Sequence, residues 1–536
     1  MPSPAETEKK RPGLRIKGKA IWLTLLLSVL ACGRPSEPSG YLRLRLAEDP
    51  TTLDPARVVD VAGGSLAAKI YNGLVRFDVD GRVIPDLADS WELLPDGVTW
   101  RFLLRPDAVF ADGTPVMPAD VIFSLSRLLD PAVNSPRSWL LEDLSGAADF
   151  QAGKAKTVKG LRSPEPGVVE LECSRPQPLL PCLLAMPNAA VLPRGPVREK
   201  GDDFFRLPLG SGPFRLEKWE RGAELSLSAN RNYFRGRPGL AGIIYRVIPE
   251  ELTAAVEFEQ GNLDIIEVPR AGFRKYTTEK PWRDRIVSRT GLNTYYVGMN
   301  CERPPFDRPP VRQALNWAID REAICRRLLE GRAEPALGPV PPVLLDDPEL
   351  GGYGYDPSRA RKLIEDSGLE LPLRVRLLVS AERQNVSIAE VLQDYWRKIG
   401  VETEIVQMEW SAFKQEIVEG DFDLFYLSWW GDYPSPENFL YPTFFSANLG
   451  PGGNRSRFSD PGVDLLLREA AGRADETGRR DLYRRAQRAV VELAPWVFLW
   501  HKKQYLALGP EVSGYVIPLV YSADNLEKVT VAREER

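Results

Sequence analysis

The sequence predicts an α/β protein of two or three lobes. Three observations carry that expectation. The chain has 536 residues, long for one domain and enough for several lobes each to bury a core. Between Val311 and Trp430, helical apolar stripes alternate with apolar strands, the pattern of a lobe built on a parallel sheet. Between Asp78 and Thr114, Asp-Gly pairs recur at short spacing and mark a separate hairpin-rich stretch. A hydrophobic fraction of 43% excludes a disordered chain, and a formal charge of −4 implies no nucleic-acid surface.

The chain opens with a targeting segment. Lys9, Lys10, Arg11, Arg15, Lys17 and Lys19 form a positive region, and Ala20 to Ala31 is an apolar run too short to span a bilayer comfortably. It ends in Val29-Leu30-Ala31-Cys32-Gly33, which resembles a bacterial lipoprotein signal and makes Cys32 the expected lipidation site. Leu30 is bulky for that pattern, so a plain secretory signal is the alternative. Residues 1–31 carry a net +4, which leaves the mature body near −8. Residues 32–40 read as a tether. The body is expected outside the cytoplasmic membrane, held by lipid. Cys173, Cys182, Cys301 and Cys325 remain; Cys173 and Cys182 either pair locally or, with the others, are buried thiols.

In the body, Leu42, Leu44 and Leu46 alternate as a strand, and Pro50-Thr51-Thr52-Leu53-Asp54-Pro55 closes it. A helix is expected around Leu66 to Tyr71, after a loop of Asp60-Val61-Ala62-Gly63-Gly64. Hairpins turn at Asp78-Val79-Asp80-Gly81, Pro95-Asp96-Gly97 and Ala111-Asp112-Gly113. A helix follows from Ala119 through Leu128. Val311 to Leu329 reads as one amphipathic helix preceded by Pro309-Pro310. Ile388 to Trp396 gives a second stripe stopped at Gly400, Val401 to Met408 a strand, and Trp410 to Ile417 a third helix. Phe422 to Leu427 is a fully apolar strand, as expected where both faces of a sheet are covered. It runs into Ser428-Trp429-Trp430-Gly431-Asp432-Tyr433-Pro434-Ser435-Pro436. In parallel lobes ligands sit beyond the C-terminal ends of strands, and Asp432 lies just past such an end. The competing reading is a turn in which Asp432 caps the next helix and the tryptophans fill the core.

Blocks in order along residues 41–505 resemble the family 5 extracellular solute-binding proteins of ABC importers, the dipeptide and oligopeptide receptors. They include Pro50 to Pro55, Ile70-Tyr71-Asn72-Gly73-Leu74-Val75, Pro85-Asp86-Leu87-Ala88-Asp89-Ser90-Trp91, and Phe110-Ala111-Asp112-Gly113-Thr114-Pro115. Ala119 to Ser124, Gly210-Ser211-Gly212-Pro213-Phe214, Asn230 to Phe234 and Gly261 to Ile265 continue the match. Asn300, Pro304 to Phe306, Val311 to Leu315, Ala318 to Arg321, Lys398 to Val401 and Trp429 to Pro436 complete it. Ala111 and Ser211 depart from the usual histidine and threonine.

The resemblance implies a periplasmic-binding-protein type, class C (cluster C) fold: two lobes, an extra subdomain and a hinged ligand cleft. Lobe I would comprise residues 41–71, 206–290 and 500–536, the extra subdomain residues 72–205, and lobe II residues 291–499. Chain crossings near 290 and 500 would form the hinge. It also implies a ligand clamped between lobes, with Asp432 pairing with a peptide's α-ammonium. A carboxylate in a water-free cleft needs a cation, and an ammonium offers three donors. Trp430 is the expected cleft face; Trp429, Gly431 and Tyr433 are further candidates, with core filling the competing role for Trp429. Arg383, before the helix that holds Ile388, is the candidate for the ligand carboxylate, and a solvated surface arginine is its alternative. Ala62 and Gly63 would offer backbone groups from lobe I, or form a plain turn.

Catalytic chemistry is not expected. The single histidine, His501, excludes H-E-x-x-H and any two-histidine metal site, and it reads as structural. No Walker A, G-x-G-x-x-G or G-x-S-x-G pattern occurs; Gly63-Gly64-Ser65-Leu66-Ala67 is a near miss. No cofactor and no metal are expected. The expected partners are a short peptide, an ABC permease and its ATPase subunits, with the receptor monomeric. The competing functions are binding of an oligosaccharide, opine or metal chelate, and a non-transport sensor on the same scaffold.

Overall fold

The computed structural model describes residues 40–450, 453–524 and 526–533. The targeting segment, Cys32 and the tether up to residue 39 lie outside the described residues.

A single 12-stranded sheet runs through the molecule. Its main path, in order, is Val401–Met408, Leu373–Ser380, Leu424–Trp430, Asn293–Met299, Trp496–Leu508, Ile265–Glu267, Tyr41–Leu46, Gly242–Val247, Glu224–Ala229 and Phe214–Glu220. The strands Ile286–Thr290 and Ala333–Pro335 pair with Trp496–Leu508 off that path. Trp496–Leu508 is the only member of both halves of this sheet among the described residues. Its first part pairs with Asn293–Met299, and its last part with Ile265–Glu267 and Ile286–Thr290. Two antiparallel segments, 286–299 and 496–508, therefore connect the halves of the sheet.

The sheet is mixed where the sequence suggested a parallel lobe. Leu373–Ser380 is parallel to both Val401–Met408 and Leu424–Trp430, but Leu424–Trp430 is antiparallel to Asn293–Met299. Both faces are nonetheless covered, so the strand still reads as a continuous apolar run. Trp396, Leu392, Ile388, Leu315 and Ile364, from three helices, pack with Val375, Leu377, Leu424 and Val497 in one core. A second core holds Leu42, Ile243, Phe214 and Leu66. A third joins the hairpin-rich stretch, through Phe102, Leu125 and Leu171, to Phe439, Val463 and Val490.

The hairpins form as their turns dictate. Asp78 to Arg82 joins Val75–Phe77 to Val83–Pro85, and Leu94 to Val98 joins Ala88–Leu93 to Thr99–Leu104. Val109 bridges Pro115 across Asp112-Gly113.

Two helices differ from expectation. Val311 to Leu329 is not continuous: an α-helix covers Pro309–Trp317, a short one Arg321–Ala323, and a π-helical turn Ile324–Leu328. Arg321 explains the break. Its buried guanidinium donates to the carbonyls of Asn316, Ile319, Tyr353 and Phe498, and Asp320 caps the new start by accepting from Ala323 N–H at 2.9 Å. The first helix of the body spans Val61–Ile70, so Ala62 and Gly63 lie in its opening turn and not in a loop. Cys173, Cys182, Cys301 and Cys325 are all free thiols, and Cys301 is only half-buried.

Candidate ligand-binding site

The site is built from the end of Leu424–Trp430. Its run of Leu, Phe, Tyr and Trp suits a pleated, covered surface. Its exit is set by Pro434 and Pro436, which cannot donate to a ladder. Gly431 N–H still donates to Leu292 O at 2.9 Å, which extends the pairing by one residue. A side chain at Gly431 would meet the Phe439 ring at 2.8 Å, so glycine is required for this close approach. Asp432 N–H donates to Asn438 Oδ1 at 2.8 Å, which fixes the backbone and leaves the carboxylate to face outward. Asp432 does not cap the following helix, Glu437–Phe444, whose cap is Pro436.

The carboxylate lines a cavity of about 480 Å³. The walls are Trp430, Gly431 and Asp432 on one side, Thr290 to Asn293 and Lys502 to Gln504 along the crossing segments, and Tyr515 with Ile517 to Tyr521 on the other side. Val61, Ser65, Glu267, Arg289 and Asp524 complete it. The side chain of Asp432 is 44% exposed, and Arg137 donates to it at 3.2 Å. Tyr521 lies in the field of that pair: burial raises its pKa most, Arg137 pulls it down and Asp432 pushes it up.

Behind the wall, Lys69 is fully buried and donates to Ser65 Oγ at 3.1 Å and to the Asp524 carbonyl at 2.6 Å. Its Nζ is 3.7 Å from the Asp524 carboxylate. Burial lowers the Lys69 pKa and raises that of Asp524, and each charge partly restores the other. This pair ties Val61–Ile70 to the C-terminal segment that forms the far wall.

The sequence-predicted residues divide. Asp432, Gly431 and Trp430 meet at the cavity, and Trp430 is 55% exposed there, edge-on to Tyr295. Trp429 points the other way: its indole donates to Asn438 O at 2.8 Å and packs against the core. Tyr433 is buried, donates its hydroxyl to Glu437 and lies 6.3 Å from Trp139. Ala62 and Gly63 do not line the cavity; Gly63 N–H is taken by the Asp60 carboxylate at 2.6 Å, while Val61 and Ser65 reach the wall. Gly64 serves instead as the seat for the Tyr521 ring, whose edge comes too close to leave room for a Cβ there. Arg383 is exposed at the first turn of Arg383–Arg397 and lines no described cavity. His501 is buried, with Nδ1 donating to Asn293 O at 2.8 Å, and burial lowers its pKa.

Sequence reasoning missed Arg137, Lys502 and Tyr521. The run Tyr515-Val516-Ile517-Pro518-Leu519-Val520-Tyr521 was the one available signal, an apolar stretch with a proline after the last long strand. No group of three or more potential metal-ligating side chains occurs among the described residues, and no helix there is long and apolar enough to cross a membrane.

A model of the bacterial extracellular solute-binding proteins, family 5, matches residues 82–451. Heme-binding protein A of Haemophilus influenzae is 29% identical over 503 residues, covering 89% of this chain and 90% of that protein. A probable di/tripeptide-binding protein of Pseudomonas aeruginosa is 29% identical over 484 residues, covering 87% and 90%. The unliganded open form of MppA, a periplasmic murein tripeptide binding protein, superposes with a TM-score of 0.83 at 25% identity, covering 93% of this chain and 99% of that one.

Proposed function

The chain belongs to the bacterial extracellular solute-binding proteins of family 5, and from that premise we propose that it is the peptide receptor of an ABC importer. Proteins of this family are transport binding proteins and not enzymes. The observation that carries the peptide reading is Asp432, a partly exposed carboxylate on the wall of a cavity of about 480 Å³ at the end of a buried strand. A peptide α-ammonium matches it in charge and donors. The peptide displaces or shares Arg137, then lies along the crossing segments with Trp430 against it.

Closure of the cleft is a population shift, driven by contacts made only when both sides touch the ligand. In this reading lobe I comprises residues 41–71, 206–290 and 500–536, residues 72–205 form its extra subdomain, and 291–499 form lobe II. The paired segments 286–299 and 496–508 support a hinge there. Residues 1–31 direct export, and Cys32 carries the lipid that holds a monomeric receptor beside its permease and ATPase subunits.

The direct experiment is mass spectrometry of ligand released from the purified protein. Peptides with free amines are expected; recovery of only sugars, haem or a metal chelate overturns the reading. In the matching variant, Asp432→Asn, peptide affinity falls by at least thirtyfold, about 2 kcal/mol.

A further inference from the structure

Away from the ligand cleft, a concavity of about 520 Å³ lies at the end of the large sheet that carries Phe214–Glu220, Glu224–Ala229, Gly242–Val247 and Tyr41–Leu46. It shares no lining residue with the cavity at Asp432. The strand register builds it. Arg215 is opposite Ser228, Ser228 opposite Gly242, and Gly242 opposite Tyr41, so the four form one row on one face. Gly242 leaves room in that row for the Tyr41 ring, with which a Cβ would collide.

Three arginines line the concavity: Arg215, Arg231 and Arg237. All three are exposed, and none has an ion pair or hydrogen bond among the described residues. Arg231 and Arg237 belong to the loop after Glu224–Ala229. Asn230 fixes that loop, donating to Gly212 O at 2.8 Å and accepting from Asn232 N–H at 3.0 Å. Glu217 is the acidic side chain on the wall, so the arginines outnumber it and the site is positive. Guanidiniums gathered without enough counter-charge repel one another, and a bound anion relieves that. Ser228 Oγ, in the row beside Arg215, is buried with no hydrogen-bond partner, so the floor holds a spare donor for an anion's oxygen.

The place of the concavity says which anion meets it. Ala241, on its rim, donates its N–H to Gly40 O at 2.9 Å, so the chain enters the body at the edge of the arginine cluster. Cys32 to Ser39 is eight residues, a length that reaches at most about 28 Å. A lipid on Cys32 therefore holds the cluster within that distance of a bilayer surface. Headgroup phosphates are the anions concentrated there, and the guanidinium fork matches phosphate oxygens in pairs.

We propose that Arg215, Arg231 and Arg237 form a seat for the phosphate of an anionic phospholipid headgroup, which turns this end of the sheet of the anchored receptor toward the membrane. The proposal rests on the anchor at Cys32 given above. The body as a whole is net negative, so an anionic surface repels its other faces and the seat selects this one. The ligand cleft, built on Leu424–Trp430 and its neighbours farther along the sheet, is not used.

The test uses the mature chain from Cys32 onward carrying Cys32→Ser, so that no lipid contributes. It is sedimented with vesicles of equimolar phosphatidylglycerol and phosphatidylcholine, and with vesicles of phosphatidylcholine alone, whose choline cation offsets the phosphate. Binding to the mixed vesicles is expected to be at least tenfold tighter. Arg215→Gln, Arg231→Gln and Arg237→Gln should each weaken it about fivefold, and Glu217→Gln should strengthen it, with melting temperature and peptide affinity unchanged. Gln in place of Arg326, Arg327 and Arg485 together, all exposed on other elements, is the control of equal charge and should have little effect. A control that weakens binding as much as the triple seat variant overturns the proposal, because charge alone would then act. Equal binding to both kinds of vesicle also overturns it. So does tight binding of inorganic phosphate with no preference for the mixed vesicles, which would make the concavity a free-phosphate site. None of these results bears on the anchor itself, which is read separately from the mass of the lipidated protein.

Discussion

Arg137 Nη1 lies 3.2 Å from Asp432 Oδ1, so the carboxylate assigned to the ligand already has a cation beside it. Arg137 comes from the hairpin-rich stretch and Asp432 from the exit of Leu424–Trp430, 295 residues later. The pair is partly exposed, and such pairs contribute at most about 1 kcal/mol to stability. Its consequence is for binding: an incoming ammonium meets a neighbouring guanidinium or must displace it.

Arg137→Met is therefore expected to tighten binding of amine-bearing peptides by about three- to tenfold, about 0.7–1.4 kcal/mol. The melting temperature should hardly move. Calorimetric titration of the variant and the unaltered protein with one tripeptide checks this. A weaker complex would make Arg137 a ligand contact in place of a competitor.

Gly64 and Tyr521 make a sharper steric case. A Cβ at Gly64 would collide with the edge of the Tyr521 ring, which forms part of the cavity wall. Gly64→Ala must push the ring into the cavity or strain the helix Val61–Ile70. Overpacking of this kind costs about 1–3 kcal/mol. The expected result is a lowered melting temperature with weaker peptide binding. Tyr521→Leu in the same chain is expected to restore stability without restoring affinity, which separates the packing cost from the wall contact.

His501 sets a pH dependence. Burial lowers its pKa, so the folded state keeps it neutral where the unfolded chain, with a pKa of about 6.5, binds a proton. Stability rises with pH wherever the unfolded state holds more protons, so this term is intact above about pH 6.5 and is lost as the pH falls below it. Asp86 runs the other way: burial pushes its pKa up to about 6, so its contribution weakens as pH rises from about 4 to 6. The difference in melting temperature between the unaltered protein and His501→Gln isolates the histidine. It should narrow from pH 7 to pH 5. A constant gap would show that the ring is protonated as easily folded as unfolded.

Much of the scaffold was legible because its signals are local. Val401–Met408 alternates and ends where read, and the stripe from Ile388 to Trp396 lies within Arg383–Arg397. Asp432 and Trp430 could be placed at a strand exit, where the structure has them on a cavity wall, because a strand exit is a local feature. The opening turn at Val61 was hidden because two adjacent glycines weaken a helix, and Gly64 is there for Tyr521, more than 450 residues away in sequence. The break after Trp317 was hidden because Arg321 binds carbonyls distant along the chain, Phe498 and Tyr353. Arg137 carried no signal: it stands 295 residues from Asp432, and their contact is visible only in three dimensions.

The adjacent tryptophans test how a strand divides its two faces. Trp430 is 55% exposed on the cavity wall, whereas Trp429 is anchored by a hydrogen bond to Asn438 O at 2.8 Å and packs on the core beneath. Successive side chains on a strand point to opposite faces, so one substitution should change binding and the other folding. Trp430→Ala is expected to weaken peptide binding about tenfold or more with the melting temperature nearly unchanged, because an exposed ring leaves little cavity. Trp429→Ala is expected to cost about 3 kcal/mol, since it opens a void and orphans the Asn438 carbonyl. Asn438 also holds the Asp432 backbone, so Trp429→Ala should loosen Asp432 and weaken binding as a secondary effect. Chemical denaturation and peptide titration of both variants decide the matter: if Trp430→Ala is the destabilising one, the assignment of the faces is reversed, and with it the direction in which Asp432 meets the ligand.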